Sequence, residues 1–312
     1  ATTSTLANPP GAFTSVSVST QSLTANWSAN GNPLAPLTTY QLQISTDVNF
    51  SGAVHSSVTY NTSASTSNLT PNTSYYLRVR AINVNGIPSP FNTVLATFTL
   101  ANPPALSSFT VVGASSITIA WQANGNPSFT DYQVERSTDI GFAVSGAGLV
   151  TAVSSTAVNL SANTSYYFRV RARNGDGVFT GYDTVIATYT LANVSVIESF
   201  QVFRTSIAVT LQPNGNAAGT TLIISTGNFT LGNSSTVVSG GGNTTLVISG
   251  LTPNTSYPVY TKTQNFSGSY TSTVTVTAST FTLANPPTVA SFQVFATSVS
   301  VLLNANGNGN GT

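Results

Sequence analysis

His55 is the only histidine in the 312-residue chain, and no Asp or Glu stands within seven positions of it. A nucleophilic triad or an acid–base pair at this histidine would need a partner brought from far along the chain. Few exist, since Asp, Glu, His and Cys together number 8. Asp47, Asp131, Asp139, Asp176 and Asp183 stand singly, whereas a metal cage needs clustered oxygen ligands. The absence of cysteine excludes thiolate chemistry and disulfides, and one lysine, Lys262, excludes a Lys–Asn crosslink in every repeat. These residues point to a protein that is not an enzyme and holds neither metal nor cofactor.

Two other residue sets could do chemistry. Fourteen Asn-x-Ser/Thr sequons occur, and one recurs in phase at Asn72, Asn163 and Asn254, in a turn expected to be exposed. These three are the candidate glycan acceptors; the competing reading is an Asn that accepts a left-handed turn conformation. Tyr76, Tyr167 and Tyr260, beside Arg78, Arg169 and Lys262, form an outward line suited to stacking on sugars or on a neighbouring chain. Cross-strand surface packing explains them equally.

Charged residues make up only 5% of the chain, against about 25% in an ordinary globular protein. A net charge of +1 supplies no field for nucleic acid or an acidic membrane. Solubility comes instead from roughly 90 Ser and Thr and from abundant Asn, while 40% apolar content suffices for a core. No apolar run approaches the roughly 18 residues of a membrane span.

The elements that carry these residues repeat. Thr-Leu-Ala-Asn occurs at Thr5–Asn8, Thr99–Asn102, Thr190–Asn193 and Thr282–Asn285, spaced by 94, 91 and 92 residues. Asn-Gly-Asn follows at Asn30–Asn32, Asn124–Asn126, Asn214–Asn216 and Asn306–Asn308, and Asn-Thr-Ser-Tyr at Asn72, Asn163 and Asn254. Order and phase are kept, so the chain is a tandem array. The boundaries predict a last strand of a preceding repeat at 1–8, repeats at 9–100, 101–191 and 192–283, and two strands of an incomplete repeat at 284–312. The ragged ends fit either a segment of a longer chain or ends completed by neighbouring chains. Within a repeat the alternation has period two: Tyr75, Leu77, Val79 and Ala81 share one face, Tyr76, Arg78 and Arg80 the other. Short strands separated by Gly, Asn, Pro and Ser clusters predict an all-β sandwich of about seven strands per repeat. The Asn102-Pro103-Pro104 junction, without a Gly/Ser linker, predicts stiff connections. For the Asn-Gly-Asn loops only turn formation is expected.

The stretch Leu69–Gly86, Leu-x-Pro-Asn-Thr-Ser-Tyr-x-Leu-Arg-Val-Arg-Ala-x-Asn-x-x-Gly, resembles the E–F region of a fibronectin type III domain, with Tyr75 at the tyrosine-corner position. Leu23–Trp27 and Ile117–Trp121 resemble the family's second strand with its core tryptophan, and Tyr40–Ile44 and Tyr132–Arg136 its third. Leu211 and Leu303 stand where that tryptophan belongs, Pro258 precedes a Val259–Lys262 run that replaces the usual Val-x-Val-x-Ala, and Ser199–Phe203 and Ser291–Phe295 share a sequence the first two repeats lack, so two repeat subtypes are present. The resemblance implies tandem seven-stranded, antiparallel, immunoglobulin-like sandwiches of the bacterial extracellular type. Some family members carry an adhesive tripeptide in the F–G loop, where Arg173-Asn174-Gly175-Asp176 stands here; a hairpin turn is the favoured reading. The expected function is a structural, non-catalytic surface fibre, sheath or filament, adhesive in character. Expected partners are further copies, by head-to-tail and lateral packing, and glycans. The alternative is a spacer and carbohydrate-binding array of a secreted polysaccharide-degrading enzyme.

Overall fold

The computed structural model describes residues 4–33, 35–230, 232–271 and 278–308. Among them there are strands and no helix. The first repeat supplies β1 (Phe13–Val18), β2 (Leu23–Trp27), β3 (Thr38–Ser45), β4 (Val54–Thr59), β5 (Ser63–Thr66), β6 (Ser74–Asn83) and β7 (Leu95–Phe98). The second supplies β8 (Ala105–Val112), β9 (Ser116–Gln122), β10 (Asp131–Ser137), β11 (Gly146–Val150), β12 (Ser154–Val158), β13 (Ser165–Arg173) and β14 (Ile186–Tyr189). The third supplies β15 (Val196–Val202), β16 (Ser206–Gln212), β17 (Thr221–Ser225), β18 (Ser234–Val238), β19 (Thr244–Ser249), β20 (Ser256–Gln264) and β21 (Ala278–Phe281), and β22 (Thr288–Val294) and β23 (Val299–Asn304) follow.

Each set of seven strands forms a three-stranded and a four-stranded sheet. Their orders are β1-β2-β5 with β4-β3-β6-β7, β12-β9-β8 with β11-β10-β13-β14, and β15-β16-β19 with β18-β17-β20-β21. β22 and β23 pair antiparallel by themselves. Residues 4–12 carry no strand, as Thr99–Asn102 carry none beyond β7. Of the strand expected at 1–8, residues 4–8 form none, and residues 1–3 lie outside the described residues.

By contact density the chain divides into two compact units, residues 1–109, 119–155 and 167–186, and residues 110–118, 156–166 and 187–312. In the first, alternation along β2, β3 and β6 buries Leu23, Trp27, Tyr40, Leu42, Ile44, Leu77 and Val79 in one cluster. Each such side chain contributes about 1.5–3 kcal/mol on burial, which is what the period-two pattern secures. Trp27 and Tyr40 pack with ring centroids 5.7 Å apart, and Trp121 and Tyr132 do so at 5.5 Å. Both indole N–H groups are buried without a partner. In the second unit Leu211 and Leu222, both fully buried, stand in place of that aromatic pair, with Ile207, Val209 and Ile224 around them. The all-aliphatic core is smaller and strands no indole N–H.

The tyrosine corner is present three times. The backbone N–H groups of Thr70, Ser161 and Thr252 donate to the hydroxyls of Tyr75, Tyr166 and Tyr257 at 3.0, 3.0 and 2.9 Å. Tyr75→Phe removes one such acceptor while keeping the buried ring. It should cost about 1–2 kcal/mol, and an unchanged urea midpoint would show that the corner hydroxyl contributes nothing.

Candidate functional site

All three recurrent sequence markers meet where one repeat passes into the next. The threonine of Thr-Leu-Ala-Asn ties the end of the last strand to the turn before β6: Thr99 Oγ1 donates to Thr70 O at 2.7 Å and accepts Thr73 N–H at 3.0 Å. Thr190 repeats this with Ser161 O and Thr164 N–H, and Thr282 with Thr252 O and Thr255 N–H. The asparagine of the same motif is clasped by the Asn-Gly-Asn loop. Asn126 Oδ1 accepts Asn102 N–H at 2.7 Å, its Nδ2 donates to Asn102 O at 2.7 Å, and Asn124 Nδ2 donates to Pro103 O at 2.9 Å. The same paired bonds join Asn8 to Asn32, Asn193 to Asn216 and Asn285 to Asn308, while Asn30, Asn214 and Asn306 donate to the carbonyls of Pro9, Val194 and Pro286. These loops thus do more than turn the chain. Asn30, Asn124, Asn214 and Asn306 have φ of 53–55°, a left-handed conformation that asparagine tolerates and that aims the side chain back at the linker.

The third marker bonds directly to the next repeat. In the first unit Asn72 Nδ2 donates to Thr130 Oγ1 at 2.8 Å, and its Oδ1 accepts Gly175 N–H at 2.8 Å. Asn174 Nδ2 donates to Thr99 O at 3.2 Å, and Asp176 Oδ2 accepts Phe98 N–H at 2.9 Å. A side chain at Gly175 would place its Cβ 2.4 Å from the Phe98 ring, so a larger residue there needs that ring to move. In the second unit Asn163 Nδ2 donates to Thr220 Oγ1 at 2.7 Å, Asn163 Oδ1 accepts Phe266 N–H at 2.8 Å, and Asn265 Nδ2 donates to Thr190 O at 3.0 Å. There Phe266 replaces Gly175 and meets Tyr189 edge to face at 5.9 Å.

This corrects the expectation for the recurrent sequon. Asn72 and Asn163 are 1% and 2% exposed, and Nδ2, the atom a glycan would take, is committed to a buried bond. Asn254 has the same left-handed backbone and is half-buried. Asn174 and Asp176, in the loop compared with an adhesive tripeptide, turn inward to the preceding repeat.

The cations beside the tyrosines are engaged within each repeat. Arg78 stacks between Phe50 and Phe91 at 3.9 and 4.0 Å, and Arg80 lies 4.8 Å from Phe91. Arg169 stacks between Phe142 and Tyr182 at 4.0 and 3.9 Å, with Arg171 over Phe179 at 4.1 Å. Lys262 sits over Phe229 and Tyr270 at 4.5 and 4.2 Å. Phe50, Phe142 and Phe229 all have φ of 55–61°. Such a backbone costs about 1–2 kcal/mol for a residue with a Cβ, and a partly desolvated cation–ring contact returns a similar amount, about 1–2 kcal/mol. The turn is set by a side chain: Asp47 accepts Asn49 and Ser51 N–H, Asp139 accepts Gly141 and Ala143 N–H, and Ser225 replaces them in the third repeat. Burial works to raise the Glu135 carboxyl, but hydrogen bonds from Tyr182 and Arg169 outweigh it and hold the group below its usual value.

Tyr76, Tyr167 and Tyr260 are half-buried, and each pairs with the serine ending the third strand of its repeat, Ser45, Ser137 and Ser225. Counted from the Asn-Thr-Ser-Tyr asparagine, however, Tyr260 stands where Arg78 and Arg169 stand, and Pro258 where Tyr76 stands. The third strand is two residues shorter in the third repeat, Thr220 to Ser225 against Thr38 to Ser45, which slides the serine along its partner. Among the described residues no three His, Cys, Asp or Glu side chains gather as metal ligands would.

Paired antiparallel sheets with a tyrosine corner define an immunoglobulin-like sandwich of seven strands. The fibronectin type III domain model matches residues 8–97 and 102–188, and the chain belongs to that family. The third repeat, with Leu211 and the shortened strand, lies outside the match. A two fibronectin type-III domain segment from chicken tenascin is similar at 19% identity and TM-score 0.44, covering 59% of this chain and 100% of that one. The FN1–FN3 domains of chicken CNTN1 are similar at 19% identity and TM-score 0.28, covering 88% of this chain and 98% of that one. Among curated proteins no sequence relative is detected.

Two predictions follow from this geometry. Asn72→Gly keeps the left-handed backbone and removes only the amide, so the Gly175 N–H loses its acceptor and should exchange with solvent about tenfold faster or more; unchanged exchange in deuterium would count against the latch. Burial raises the pKa of Asp183 from 3.8, opposed by hydrogen bonds from the Ser107 hydroxyl and Val170 N–H. A raised folded pKa penalises the charged form, so this group adds stability as pH falls through its folded value and no more below its unfolded one. Asn92 bonds Val79 N–H at the same place in the first repeat. Asp183→Asn should therefore raise the melting temperature at pH 7 and narrow its gain at pH 4, as calorimetry would show.

Proposed function

We propose that the chain is a structural, non-catalytic array whose joints hold successive sandwiches in preset registration, serving as a stalk or fibre segment outside the cell. The observation that carries this reading is the repetition of one joint at identical sequence intervals. Asn72 to Gly175 and Asn163 to Phe266 each span 103 residues, and Asn174 to Thr99 and Asn265 to Thr190 each span 75. A flexible spacer needs no such bonds, because a Gly/Ser linker is enough to join domains that swing. Extracellular placement is supported by membership in a family typical of extracellular proteins. A fibre, sheath or filament formed from many copies extends the same reading. Near-neutral surfaces of hydroxyl and amide groups favour it, since low net charge promotes association.

Electron microscopy of the purified chain tests both levels. Preset joints predict a narrow spread of end-to-end distances that broadens in the Asn72→Gly/Asn163→Gly double variant. An equally broad spread in both proteins would refute the preset joints. Concentrated material should show axial or lateral order, and dispersed particles at every concentration would remove the filament while leaving the joints intact.

A further inference from the structure

β11 forms an edge of its four-stranded sheet and is built differently from the matching edges of the other repeats. Its sequence is Gly-Ala-Gly-Leu-Val, whereas β4 and β18 contain no glycine. Glycine within a strand weakens it, and where it persists it marks a bulge, a bend or the close approach of another backbone. No bulge is present, because the register with β10 runs unbroken from Tyr132↔Val150 to Arg136↔Gly146. Neither glycine has a positive φ. A Cβ on Gly148 would meet nothing within 4 Å, and one on Gly146 would come no nearer than 3.6 Å to Arg136 Nε. The fold therefore gives no internal reason for either residue.

The edge also lacks the usual defences against pairing, which are charges, proline or a bulge. From Gly141 to Phe168 the chain has no charged residue and no proline. Leu149 on this edge is 49% exposed, and Val144, in the bend just before it, is 84% exposed. A strand that is smooth, neutral and fringed with apolar side chains suits an uncharged strand of the same kind.

We propose that β11 pairs antiparallel with β11 of a second copy about a two-fold axis through Gly148, joining two four-stranded sheets into one. The arrangement is self-complementary, as a two-fold interface must be. Gly148 then faces its own equivalent, and the missing Cβ atoms allow the backbones and the flanking valine and leucine side chains to close. This pairing rests on the structural reading above, since it needs copies to meet side by side.

Sedimentation velocity of the 312-residue chain over a concentration series should show a reversible dimer. Gly148→Lys sets two ammonium groups against each other across the axis and should weaken the dimer by roughly a hundredfold, with the melting curve unchanged at concentrations where both proteins are monomeric. Because the protein has no cysteine, Gly148→Cys gives an independent readout that keeps a small side chain. With copper phenanthroline, two thiols release two protons to solvent, pass two electrons to two Cu(II) ions, which become Cu(I), and form one intermolecular disulfide. Ser57→Cys on β4 is the comparison and should crosslink far less. A chain that stays monomeric throughout, a lysine variant that dimerises like the parent, or equal crosslinking at both positions would overturn the proposal. The end-to-end distances of single particles test the joints separately, so failure here leaves that reading untouched.

Discussion

The amide side chain of asparagine, substituting for backbone at each passage between repeats, is the interaction on which the remaining architecture depends. A linker leaving one sandwich for the next has donors and acceptors that no strand ladder can satisfy, and buried polar groups without partners are costly. Asparagine carries one donor group and one acceptor in the geometry of a peptide, so Asn126 closes both bonds to Asn102 that a neighbouring strand would make. The left-handed backbone at Asn72, Asn124 and their equivalents is what brings the amide within reach. Thr99 and Thr190 complete the site by fixing the last strand to the turn that carries the asparagine.

The small charge inventory is used in the same inward manner. Arg78, Arg80, Arg169, Arg171 and Lys262 lie against aromatic rings, and Asp47, Asp139, Asp176 and Asp183 accept backbone N–H groups. The surface left to solvent is consequently dominated by hydroxyls, amides and scattered apolar groups. Scarcity of charge is thus a property of the outside, while the charges present act as fasteners.

The sandwich was legible in the sequence because its determinants are local. Period-two alternation in Tyr75–Ala81 and the six-residue reach from Thr70 to Tyr75 can be read along one strand. The latches between repeats were not legible, because their bonds link residues 57 to 103 positions apart. Asn72 looked like an exposed turn residue for that reason: its sequence context describes the turn and says nothing of the repeat that covers it. The recurrence of Asn-Gly-Asn at spacings of 94, 90 and 92 residues was the available signal, since turn formation alone does not require the residue after the glycine to be asparagine. Tyr260 stands two residues further along its strand than Tyr76 and Tyr167, and it faces the equivalent serine only because the third strand of its repeat is two residues shorter.

Neutral joints have a consequence for the environments in which the chain can work. Attraction between exposed ions fades within a Debye length, about 8 Å at physiological salt and about 3 Å at 1 M. Apart from Asp176, the bonds between repeats join amides, hydroxyls and backbone, none of which titrates or attracts counterions. Screening by salt therefore has no charge to act on in these bonds, and the second joint has the neutral Ser267 where the first has Asp176.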